Sequence, residues 1–578
     1  MKILGINIGI GPSVCLLDDG EPVFAIEEER LSREKGAMGF PTLSLQYLEQ
    51  HWQPFLAACD AVALANEHIA IFDRKSFLAR YDARYQDRGP IKQARDALWR
   101  ARQYAKRALI AAAPTPRSET LAQVKAAAPS VTVAPDRVYR IGHHDCHAAA
   151  AYFGLARTKD KPFLILTLDG GGDFDCATVQ IGDNGRLRRI ATTASGNSIG
   201  NIYSNVTYLM GMTPHEHEYK LMGMAAYTVD EHKRDLSEVF RPFVDLDAEN
   251  PLLFTHAVPE RTTWSIRRLD RALRRRRFDN IAGALQLYTE DLVLRWVRAA
   301  IRETGVHDLL LSGGVFMNVS MNKSISLLPE VQSLNVFPSC GDETNSIGAA
   351  FAVHAELKGE LSRFSRFTLG PDADDDMDEL EREYGDRCRF ERVGDVARRT
   401  AELLASGKIV ARCDGAMEFG ARALGNRSVL ADPRTPNAVA KINATIKQRD
   451  FWMPFAPAIL AEDLDKYVVV PDALPKDNPS PYMMFVMDSR EEYRDDMAAT
   501  LHPFDKSARV QVVDRELYPE FHSLLTAFKA TTGRSCLLNT SFNIHGHPIV
   551  RTAREALDIL VSSNLDCAAF AGHVVEKR

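Results

Sequence analysis

The chain has 578 residues, of which 45% are hydrophobic and 26% are charged, and its net charge is −6 at pH 7. One hydrophobic core does not support this length, so we expect two or three domains, and the charge gives no global signal for nucleic acid or an anionic membrane. No apolar run reaches the roughly 18 residues of a spanning helix, and the nine scattered cysteines lack CxxC spacing, so we expect a cytoplasmic protein with reduced thiols and no membrane span.

Two segments of the chain share one pattern of strand, turn and strand. Residues 2–26 read "KILGINIG" and then "SVCLLDDGEPVFAI", with an Asp-Gly turn at 19–20. Residues 163–190 repeat this pattern, with an Asn-Gly turn at 184–185. Such dipeptides favour two-residue hairpins. The repetition predicts duplicated α/β halves, and each glycine-bearing strand end could present backbone N–H groups to a phosphate between them.

Between these segments, "RIGHHDCHAAAAYFG" places three histidines and an aspartate directly before an apolar run. On a helix, His143 and His147 would share one face at positions i and i+4, while His144 and Asp145 would point elsewhere. Two imidazoles form half of a metal site and need further ligands from other segments. A helix N-terminus whose histidines only form hydrogen bonds is an equally good interpretation of these residues alone.

Two carboxylates near the ends of predicted strands are the best candidates to complete such a site. Asp169 ends the strand "FLILTL" and begins a glycine tract, and Asp342 lies where a helix is predicted to begin after "SCG". A buried strand between them, "HDLLLS", ends in a Gly-Gly turn at 313–314. Two imidazoles with two carboxylates suit iron, manganese or zinc, and the ligand set does not choose among them.

An acidic, turn-rich run marks a domain boundary near residue 370. This run, "LGPDADDDMDELEREYGD", follows a helical pattern and precedes a second series of alternating α and β patterns. We therefore divide the chain into residues 1–360, a linker at 361–375, and residues 376–578. The fold class predicted for the whole chain is α/β.

Eight motifs in this order resemble the O-carbamoyltransferase family, which includes nodulation-protein-U type enzymes and carbamoyltransferases of antibiotic synthesis. They are "HHDCHAAAAY", "LDGGGDF", "EYKLMGMAAY", "LSGGVFMNVSMN", "CGDETNSIGAA", "FGARALGNRS", "IKQRDFWMPFAP" and "LNTSFNIHGHPI". The resemblance spans essentially the whole chain. It implies an actin-like (ASKHA) domain in residues 1–360, similar to the catalytic subunit of tRNA threonylcarbamoyltransferase, and a YrdC-like domain in residues 376–578.

The resemblance also implies the chemistry. The C-terminal domain would form carbamoyl adenylate from carbamoyl phosphate and ATP with Mg²⁺, and the N-terminal domain would transfer the carbamoyl group at a metal site. The metal is typically iron(II), although another divalent transition metal would serve. The acceptor would be a hydroxyl, or an amine, of a small natural product, a sugar or a nucleotide-sugar. No nucleic-acid partner is expected, and self-association into a homodimer is left open.

The family's functional positions fall on particular residues of this chain. Without the resemblance, the lysine and the arginines among them would be interpreted as surface charges, and the asparagines as helix caps. The resemblance implies metal ligands at His143, His147, Asp169 and Asp342, an adenylate-cleft lysine at Lys220, nucleotide contacts at Gly313, Gly314, Asn318 and Asn322, phosphate-binding cations at Arg422, Lys447 and Arg509, and substrate contacts at Asn539 and Ser541.

The chain departs from the family pattern after its first strand. Relatives commonly carry a His-Asp pair there, and this chain has Ile10-Gly11. If that histidine is the general base, another residue takes its role, and His144, His215 and His217 are the candidates. Alternatively, the acceptor is a stronger nucleophile such as an amine, or the transfer step is altered.

Three further features leave alternatives open. Met453 stands where relatives often carry arginine, and Arg449 is a candidate to compensate. The basic segments 267–278 and 92–109, the second with Trp99 and Tyr104, are typical of solvated helix faces, with a rim for an anionic acceptor as the alternative. Two rival functions are a threonylcarbamoyl-type transferase acting on tRNA and an actin-like nucleotide-binding regulator without transfer activity.

Overall fold

The computed structural model describes residues 1–68, 73–86, 117–156, 158–360, 362, 364–435 and 437–578. The basic segment 92–109 lies outside these residues. Within them the fold is α/β, as predicted, with two five-stranded sheets, one eight-stranded sheet and three smaller sheets. No described helix combines the length and the apolar character needed to cross a membrane.

The first two large sheets repeat one topology, with spatial orders β4–β3–β1–β6–β7 and β10–β9–β8–β13–β14. The strands are β1 (Lys2–Asn7), β2 (Gly9–Ile10), β3 (Ser13–Asp18), β4 (Glu21–Glu27), β5 (Met38–Gly39), β6 (Ala61–Ala65), β7 (Val138–Ile141), β8 (Phe163–Gly172), β9 (Asp175–Asp183), β10 (Arg186–Ala194), β11 (Asp245–Leu246), β12 (Phe254–Thr255), β13 (Asp308–Ser312) and β14 (Ser333–Val336). In each of these two sheets three consecutive antiparallel strands are joined to two further strands that pair in parallel.

The hairpin turns are the ones predicted from the sequence. Asp19 and Gly20 have φ angles of 45° and 82°, and Asn184 and Gly185 have φ angles of 51° and 74°. Two successive positive φ angles define the type I′ turn that Asp-Gly and Asn-Gly favour. Together with the repeated strand order, these turns confirm the predicted duplication.

The eight-stranded sheet is formed by the C-terminal part of the chain, in the order β15–β25–β24–β16–β17–β23–β18–β22. The strands of this part are β15 (Cys388–Arg392), β16 (Val410–Cys413), β17 (Arg427–Ala431), β18 (Ala456–Leu460), β19 (Val468–Val469), β20 (Met487–Ser489), β21 (Ser507–Ala508), β22 (Gln511–Val513), β23 (Cys536–Ser541), β24 (Cys567–Phe570) and β25 (His573–Lys577). The three sheets fall on either side of the predicted linker at 361–375, whose bounds stay a prediction.

Helices cover the sheets and carry several of the predicted site residues. The described helices are α1 (Glu28–Ser32), α2 (Thr42–His51), α3 (Gln53–Ala57), α4 (Arg74–Tyr85), α5 (Arg117–Ala127), α6 (His143–Leu155), α7 (Ile199–Leu209), α8 (Glu218–Ala225), α9 (Asp230–Ser237), α10 (Ile266–Leu273), α11 (Phe278–Thr304), α12 (Val319–Ser326), α13 (Asn345–Lys358), α14 (Met377–Tyr384), α15 (Val396–Ala405), α16 (Ala438–Ile442), α17 (Leu464–Tyr467), α18 (Pro519–Thr532) and α19 (Ala553–Ser562). All nine cysteines are free thiols, and eight are buried, in agreement with the prediction.

Helices α6 and α13 pack against each other through small residues, which lets the two backbones approach closely. The alanines 148–151 of α6 are all buried, as are Ala349 and Ala350 of α13. A Cβ atom at Gly348 would overlap the backbone carbonyl of Cys146. This close contact fixes the position of α6, whose first turn holds the histidine cluster.

We expect Gly348→Ala to destabilise the protein, although alanine is intrinsically the better helix former. The added methyl group meets backbone rather than a movable side chain, and overpacking of this kind costs about 1–3 kcal/mol. A denaturation midpoint below that of the unaltered protein would show the effect. Gly394→Ala is the control, because no atom lies within 4 Å of a Cβ there, and an equal loss in both variants would contradict the packing argument.

The N-terminal half (residues 1–360) and the C-terminal half (residues 376–578) meet along an extensive seam. Glu27 accepts a hydrogen bond from the backbone N–H of Gly420 at 2.6 Å, and Arg30 donates to the Gly420 carbonyl at 2.6 Å. The backbone N–H of Ala421 donates to the Ser339 hydroxyl at 3.0 Å. The segment around Gly420 is therefore held by side chains of the N-terminal half.

Candidate metal centre and cation cluster

Four side chains converge at the N-terminal end of α6. His143 and His147 lie one helical turn apart, Asp169 lies in the irregular end of β8, and Asp342 lies in the turn that precedes α13. One ligand atom from each residue can be chosen so that all four atoms lie within 4.8 Å of one another. The structure thus brings together the four residues that the sequence singled out for a metal.

The separations between these ligand atoms fit a common metal ion. His143 Nε2 lies 3.4 Å from Asp169 Oδ2 and 3.5 Å from Asp342 Oδ1, and the corresponding distances from His147 Nε2 are 3.2 and 3.6 Å. Two ligands bound tetrahedrally at about 2.1 Å from one ion would lie about 3.4 Å apart. The donor set therefore has both the chemistry and the spacing of a transition-metal site.

Residues outside the ligand set orient the two imidazoles. The Nδ1 atom of His143 lies 2.8 Å from the Asn66 side-chain oxygen, and the Nδ1 atom of His147 lies 3.3 Å from the Ser312 hydroxyl. These contacts leave the Nε2 atom of each ring facing the carboxylates, an arrangement common among metal-binding histidines. The sequence analysis missed Asn66 and Ser312, whose only signal is that each ends a buried strand pattern.

The electrostatics of the cluster call for a positive charge between the carboxylates. Burial lowers the pKa of His143, but Asp342 and Asp169 outweigh that effect and raise the pKa to about 9. Burial raises the pKa of Asp169, but its hydrogen bonds with the two imidazoles hold that pKa well below the ordinary value. A proton on the imidazole can thus supply charge that a divalent cation would otherwise supply, so metal and protons should compete.

His144 points away from the metal cluster, as helical spacing predicted. Its Nδ1 atom lies 2.7 Å from the Thr167 hydroxyl, and its Nε2 atom is buried without a hydrogen-bond partner. Burial and the neighbouring His143 lower its pKa well below the ordinary value. Asp145 also points outward and pairs with Arg189 at 2.6 Å.

The Gly-Gly turn and the asparagines after β13 have distinct roles in the structure. Gly313 has a φ angle of 107° and approaches the backbone of Leu168, and a Cβ atom at Gly314 would lie 3.4 Å from Asp169 Oδ1. Asn318 caps α12 by accepting from the Met321 N–H at 3.1 Å. Asn322 is fully buried and donates to the carbonyls of Phe316 and Met484 at 2.7 and 3.0 Å.

A second group, which we call the cation cluster, consists of Arg422, Lys447, Arg449 and Arg509. Burial lowers the pKa of every member; Arg422 and Arg449 further lower that of Arg509, and Arg449 further lowers that of Lys447. The Nε atoms of Arg422 and Arg509 are buried without hydrogen-bond partners. Within the described part of the chain, no member forms an ion pair with a carboxylate. Lys447 is buried and the three arginines are half-buried. Cations withdrawn from water without counterions are unfavourable, and a bound anion would relieve that cost.

The partners of Lys447 are uncharged polar groups. Its ammonium group donates to the Ser541 hydroxyl at 2.9 Å and to the Asn543 side-chain oxygen at 2.6 Å. It lies at the end of a single π-helical turn, Asn443–Lys447, a feature often found at functional sites. Asn539 lies nearby in β23 but is bound to the Ala423 carbonyl and to Gln511, at 3.1 and 2.7 Å.

Lys220 connects the two halves beside the cation cluster. Its ammonium group lies 3.0 Å from Asp450 Oδ2, and its backbone carbonyl accepts from the Trp452 ring at 3.1 Å. The neighbouring Tyr219 acts electrostatically on Arg422, Arg449 and Arg509. Cys340 and Glu343, which lie on either side of Asp342 in the chain, also act electrostatically on Arg422 and favour its charged form. Arg422 therefore links the cation cluster to the loop that carries a candidate metal ligand.

The three histidines that are candidates for the general base occupy different environments. His215 is exposed, has a φ angle of 65°, and its Nε2 atom lies 3.2 Å from the Tyr81 hydroxyl. Its ring lies 3.9 Å from a Cβ atom built on Gly170, next to Asp169. Burial and the adjacent Lys220 lower the pKa of His217 to about 4. His144, described above, is buried beneath the metal cluster.

The two departures from the family pattern have a structural context. Ile10 packs in an apolar cluster with Phe77 and Tyr81. Gly11 has a φ angle of 56°, and a Cβ atom there would lie 3.0 Å from the backbone nitrogen of Glu343. An aspartate at position 11 would be strained there. Met453 packs its sulfur against Gly223, while Arg449 belongs to the cation cluster.

The basic segment 267–278 forms surface ion pairs. Arg268 pairs with Glu260 at 2.9 Å, and Arg274 pairs with Asp270 at 2.9 Å. Arg277 pairs with Asp279 at 2.8 Å. These pairings agree with the interpretation of this segment as a solvated surface.

The fold is α/β, with a candidate metal centre in one half and a candidate anion site in the other. The chain belongs to the carbamoyltransferase family. Residues 2–351 match the family description "Carbamoyltransferase N-terminus", and residues 401–577 match "Carbamoyltransferase C-terminus". The resemblance inferred from the eight motifs is thereby confirmed.

Individual relatives agree with this assignment. The nodulation protein NolNO of Sinorhizobium fredii is 30% identical over 98% of this chain and 79% of its own length. The nodulation protein NolO of Bradyrhizobium diazoefficiens is 31% identical over 76% of this chain and 79% of its own length. A 3'-hydroxymethylcephem-O-carbamoyltransferase of Streptomyces clavuligerus is 31% identical over 46% of this chain and 48% of its own length.

Solved structures give weaker likenesses. Full-length HypF in its phosphate- and nucleotide-bound form is 13% identical, with a TM-score of 0.33, over 62% of this chain and 47% of that one. A ROK hexokinase of Thermus thermophilus is 16% identical, with a TM-score of 0.30, over 62% of this chain and all of that one. At these scores neither likeness supports a conclusion about function.

Proposed function

We propose that this carbamoyltransferase has two reaction centres, one in each half. The cation cluster binds ATP, with Mg²⁺, and carbamoyl phosphate. Water hydrolyses carbamoyl phosphate there to carbamate and phosphate, and the carbamate attacks the α-phosphate of ATP to form carbamoyl adenylate with release of pyrophosphate. Carbamoyl adenylate then passes across the seam, and its carbamoyl group is transferred at the metal centre to an acceptor hydroxyl, or amine, with release of AMP. In this scheme residues 1–360 are an actin-like domain and residues 376–578 are a YrdC-like domain.

The observation that carries the proposal is the juxtaposition of the two candidate centres. Four cations without acidic partners, of which Lys447 is buried and the three arginines are half-buried, form this cluster, and Arg422 interacts electrostatically with residues of the loop of Asp342. Two polyanionic substrates need such cations, and arginine meets phosphate oxygens in pairs. The family supplies the carbamoyl chemistry, and this arrangement supplies a place for each half-reaction.

At the second centre His143, His147, Asp169 and Asp342 would hold a divalent transition metal, iron(II) by resemblance to the family. When bound, such a metal would supply a Lewis acid for the carbamoyl oxygen and so polarise the carbonyl group, whose carbon is otherwise a poor electrophile. The Asn66 and Ser312 side chains keep the imidazoles oriented toward it. Gly170, next to Asp169, has no side chain, which leaves open the space between Gly170 and the ring of His215.

Among the candidate bases the geometry favours His215. The pKa of His217 is too low for an effective base near neutral pH, and the free nitrogen of His144 is enclosed. His215 is exposed, lies beside the glycine tract and is held by Tyr81. We therefore propose that His215 accepts the proton of the acceptor, and that the acceptor is a small natural product, a sugar or a nucleotide-sugar.

One incubation tests the proposed function against its rivals. The purified protein is mixed with ATP, Mg²⁺ and carbamoyl phosphate, and carbamoyl adenylate and pyrophosphate are measured by mass spectrometry. Product formed without any acceptor is the expected result. A second mixture contains threonine and bicarbonate in place of carbamoyl phosphate, and product formed only in that mixture would favour a threonylcarbamoyl-type transferase. No product in either mixture would favour a nucleotide-binding regulator.

The lowered pKa of Lys447 predicts proton uptake when a polyanion binds. Burial and the neighbouring Arg449 lower this pKa, so the ligand-free protein loses the Lys447 proton at a lower pH than an ordinary lysine does. A bound phosphate favours the protonated form, so binding should weaken as pH rises through that range. Titration calorimetry with a non-hydrolysable ATP analogue over a series of pH values should include a range in which the enthalpies differ between buffers of different ionisation enthalpy. Lys447→Met should remove most of this difference, and buffer-independent enthalpies for the unaltered protein would refute the prediction.

A further inference from the structure

A further group of basic side chains lies in the seam, next to the cation cluster. We call this group the seam cations, and its members are Lys35, His217, Lys220 and His545. The first three belong to the N-terminal half, and His545 belongs to the C-terminal half. All four side chains are half-buried, so each remains within reach of a molecule in the seam.

Lys35 is carried by a loop that both halves hold in place. Two residues before it, the Arg33 guanidinium donates to the Ile549 carbonyl of the C-terminal half at 2.8 Å. Directly after it, a Cβ atom at Gly36 would lie 2.9 Å from the carboxylate of Glu216, in the N-terminal half. The backbone on either side of Lys35 is thus fixed against both halves.

The neighbouring segments carry the other three members. The backbone N–H of Lys220 donates to the His217 carbonyl at 2.9 Å, within the turn that begins α8. In the C-terminal half, the backbone N–H of His545 donates to the Ile446 carbonyl at 2.8 Å, directly before Lys447. The seam cations are therefore continuous with the cation cluster through Lys447.

No carboxylate among the described residues forms an ion pair with Lys35. Two carboxylates of this region are already paired, Asp450 with Lys220 at 3.0 Å and Glu216 with Arg74. A half-buried ammonium group without a counterion is unfavourable, and a bound anion would relieve that cost. The position of Lys35 therefore suits a negatively charged ligand.

The cations of the two groups follow one another in a row. Burial is the main cause of the lowered pKa of Lys447, and the charges of Arg449 and Lys35 lower it further. After burial, Arg422 and Arg449 are the cations that lower the pKa of Arg509. Lys447 thus lies between the arginines on one side and Lys35 on the other. A chain of phosphate groups can contact such a row along its length, whereas a single phosphate reaches only part of it.

We propose that the seam cations bind the β- and γ-phosphates of ATP, and the pyrophosphate released from them, with Lys35 as a direct phosphate ligand. This inference rests on the proposed function and deepens it. It adds a residue of the N-terminal half to a nucleotide site whose other phosphate ligands lie in the C-terminal half. Pyrophosphate binding then requires the two halves to be packed along the seam.

Inorganic pyrophosphate and inorganic phosphate are the two probes, and their binding to the full chain is measured by titration calorimetry. Lys35→Met should lower pyrophosphate affinity by about tenfold or more, the effect of losing one or two hydrogen bonds to a charged group. It should leave phosphate affinity unchanged, because a single phosphate stays at the cation cluster. Lys35→Arg keeps the charge and should retain most of the pyrophosphate affinity.

Lys358→Met, at an exposed position at the end of α13, is the control and should leave both affinities unchanged. Lys447→Met should weaken the binding of both anions. Equal losses for phosphate and pyrophosphate in Lys35→Met, or no loss for either, would overturn this inference and leave the proposed function standing. If the unaltered protein bound neither anion, the cation cluster would not be an anion site, and the proposed function would fail together with this inference.

Discussion

His147→Ala is expected to abolish carbamoyl transfer while leaving the formation of carbamoyl adenylate intact. The substitution removes a ligand of the candidate metal centre, whereas the cation cluster lies in the other half of the chain. Loss of a Lewis acid is worth several kcal/mol of transition-state stabilisation, so transfer should fall by about 10³-fold or more. Transfer from supplied carbamoyl adenylate and synthesis of the adenylate are measured separately on the same preparation.

The control for this variant is His232→Ala, at an exposed position of α9. It should keep both half-reactions and its full metal content. If His147→Ala lost adenylate synthesis to the same degree as transfer, the two half-reactions would share one centre, and the assignment of separate centres to the two halves would be wrong.

Lys447→Met is expected to give the opposite pattern. Methionine keeps most of the side-chain volume but removes the ammonium group that Ser541 and Asn543 hold in place. Because that charge would contact phosphate oxygens where negative charge develops, adenylate synthesis should fall by about 10²–10³-fold. Transfer from supplied carbamoyl adenylate should remain, and pyrophosphate release and carbamoylated acceptor are the two readouts.

Lys441→Met is the matched control, six residues earlier in the same helical segment. Lys441 lies at the surface and pairs with Asp566 at 2.7 Å. Exposed ion pairs of this kind contribute little to stability, so this variant should retain both half-reactions. Full adenylate synthesis in Lys447→Met would remove the cation cluster from the proposed scheme.

Much of the local structure could be predicted because it depends on near neighbours in the chain. The Asp-Gly and Asn-Gly dipeptides require positive φ angles, so each hairpin turn was visible in the sequence. The spacing of His143 and His147 likewise fixes their common face once a helix forms. Asp169 and Asp342 could be proposed as partners because carboxylates at strand ends tend to meet at one edge of an α/β sheet.

Other parts of the sites could not be predicted from the sequence because they depend on distant segments. Asn66 meets His143 across 77 positions, and nothing in its surroundings marks it as an orienting residue. Tyr219 meets the arginines of the cation cluster only because the two halves pack along the seam. Patterns of hydrophobic residues specify each sheet, but not the contacts between sheets.

The central claim is that His143, His147, Asp169 and Asp342 bind one divalent transition metal. The most direct measurement is elemental analysis of protein reconstituted under anaerobic conditions with iron(II), manganese(II) or zinc(II), compared with the Asp342→Asn variant. We predict a stoichiometric amount of one of these metals in the unaltered protein and a large loss in the variant. No retained metal in the unaltered protein, or equal retention in the variant, would contradict the claim.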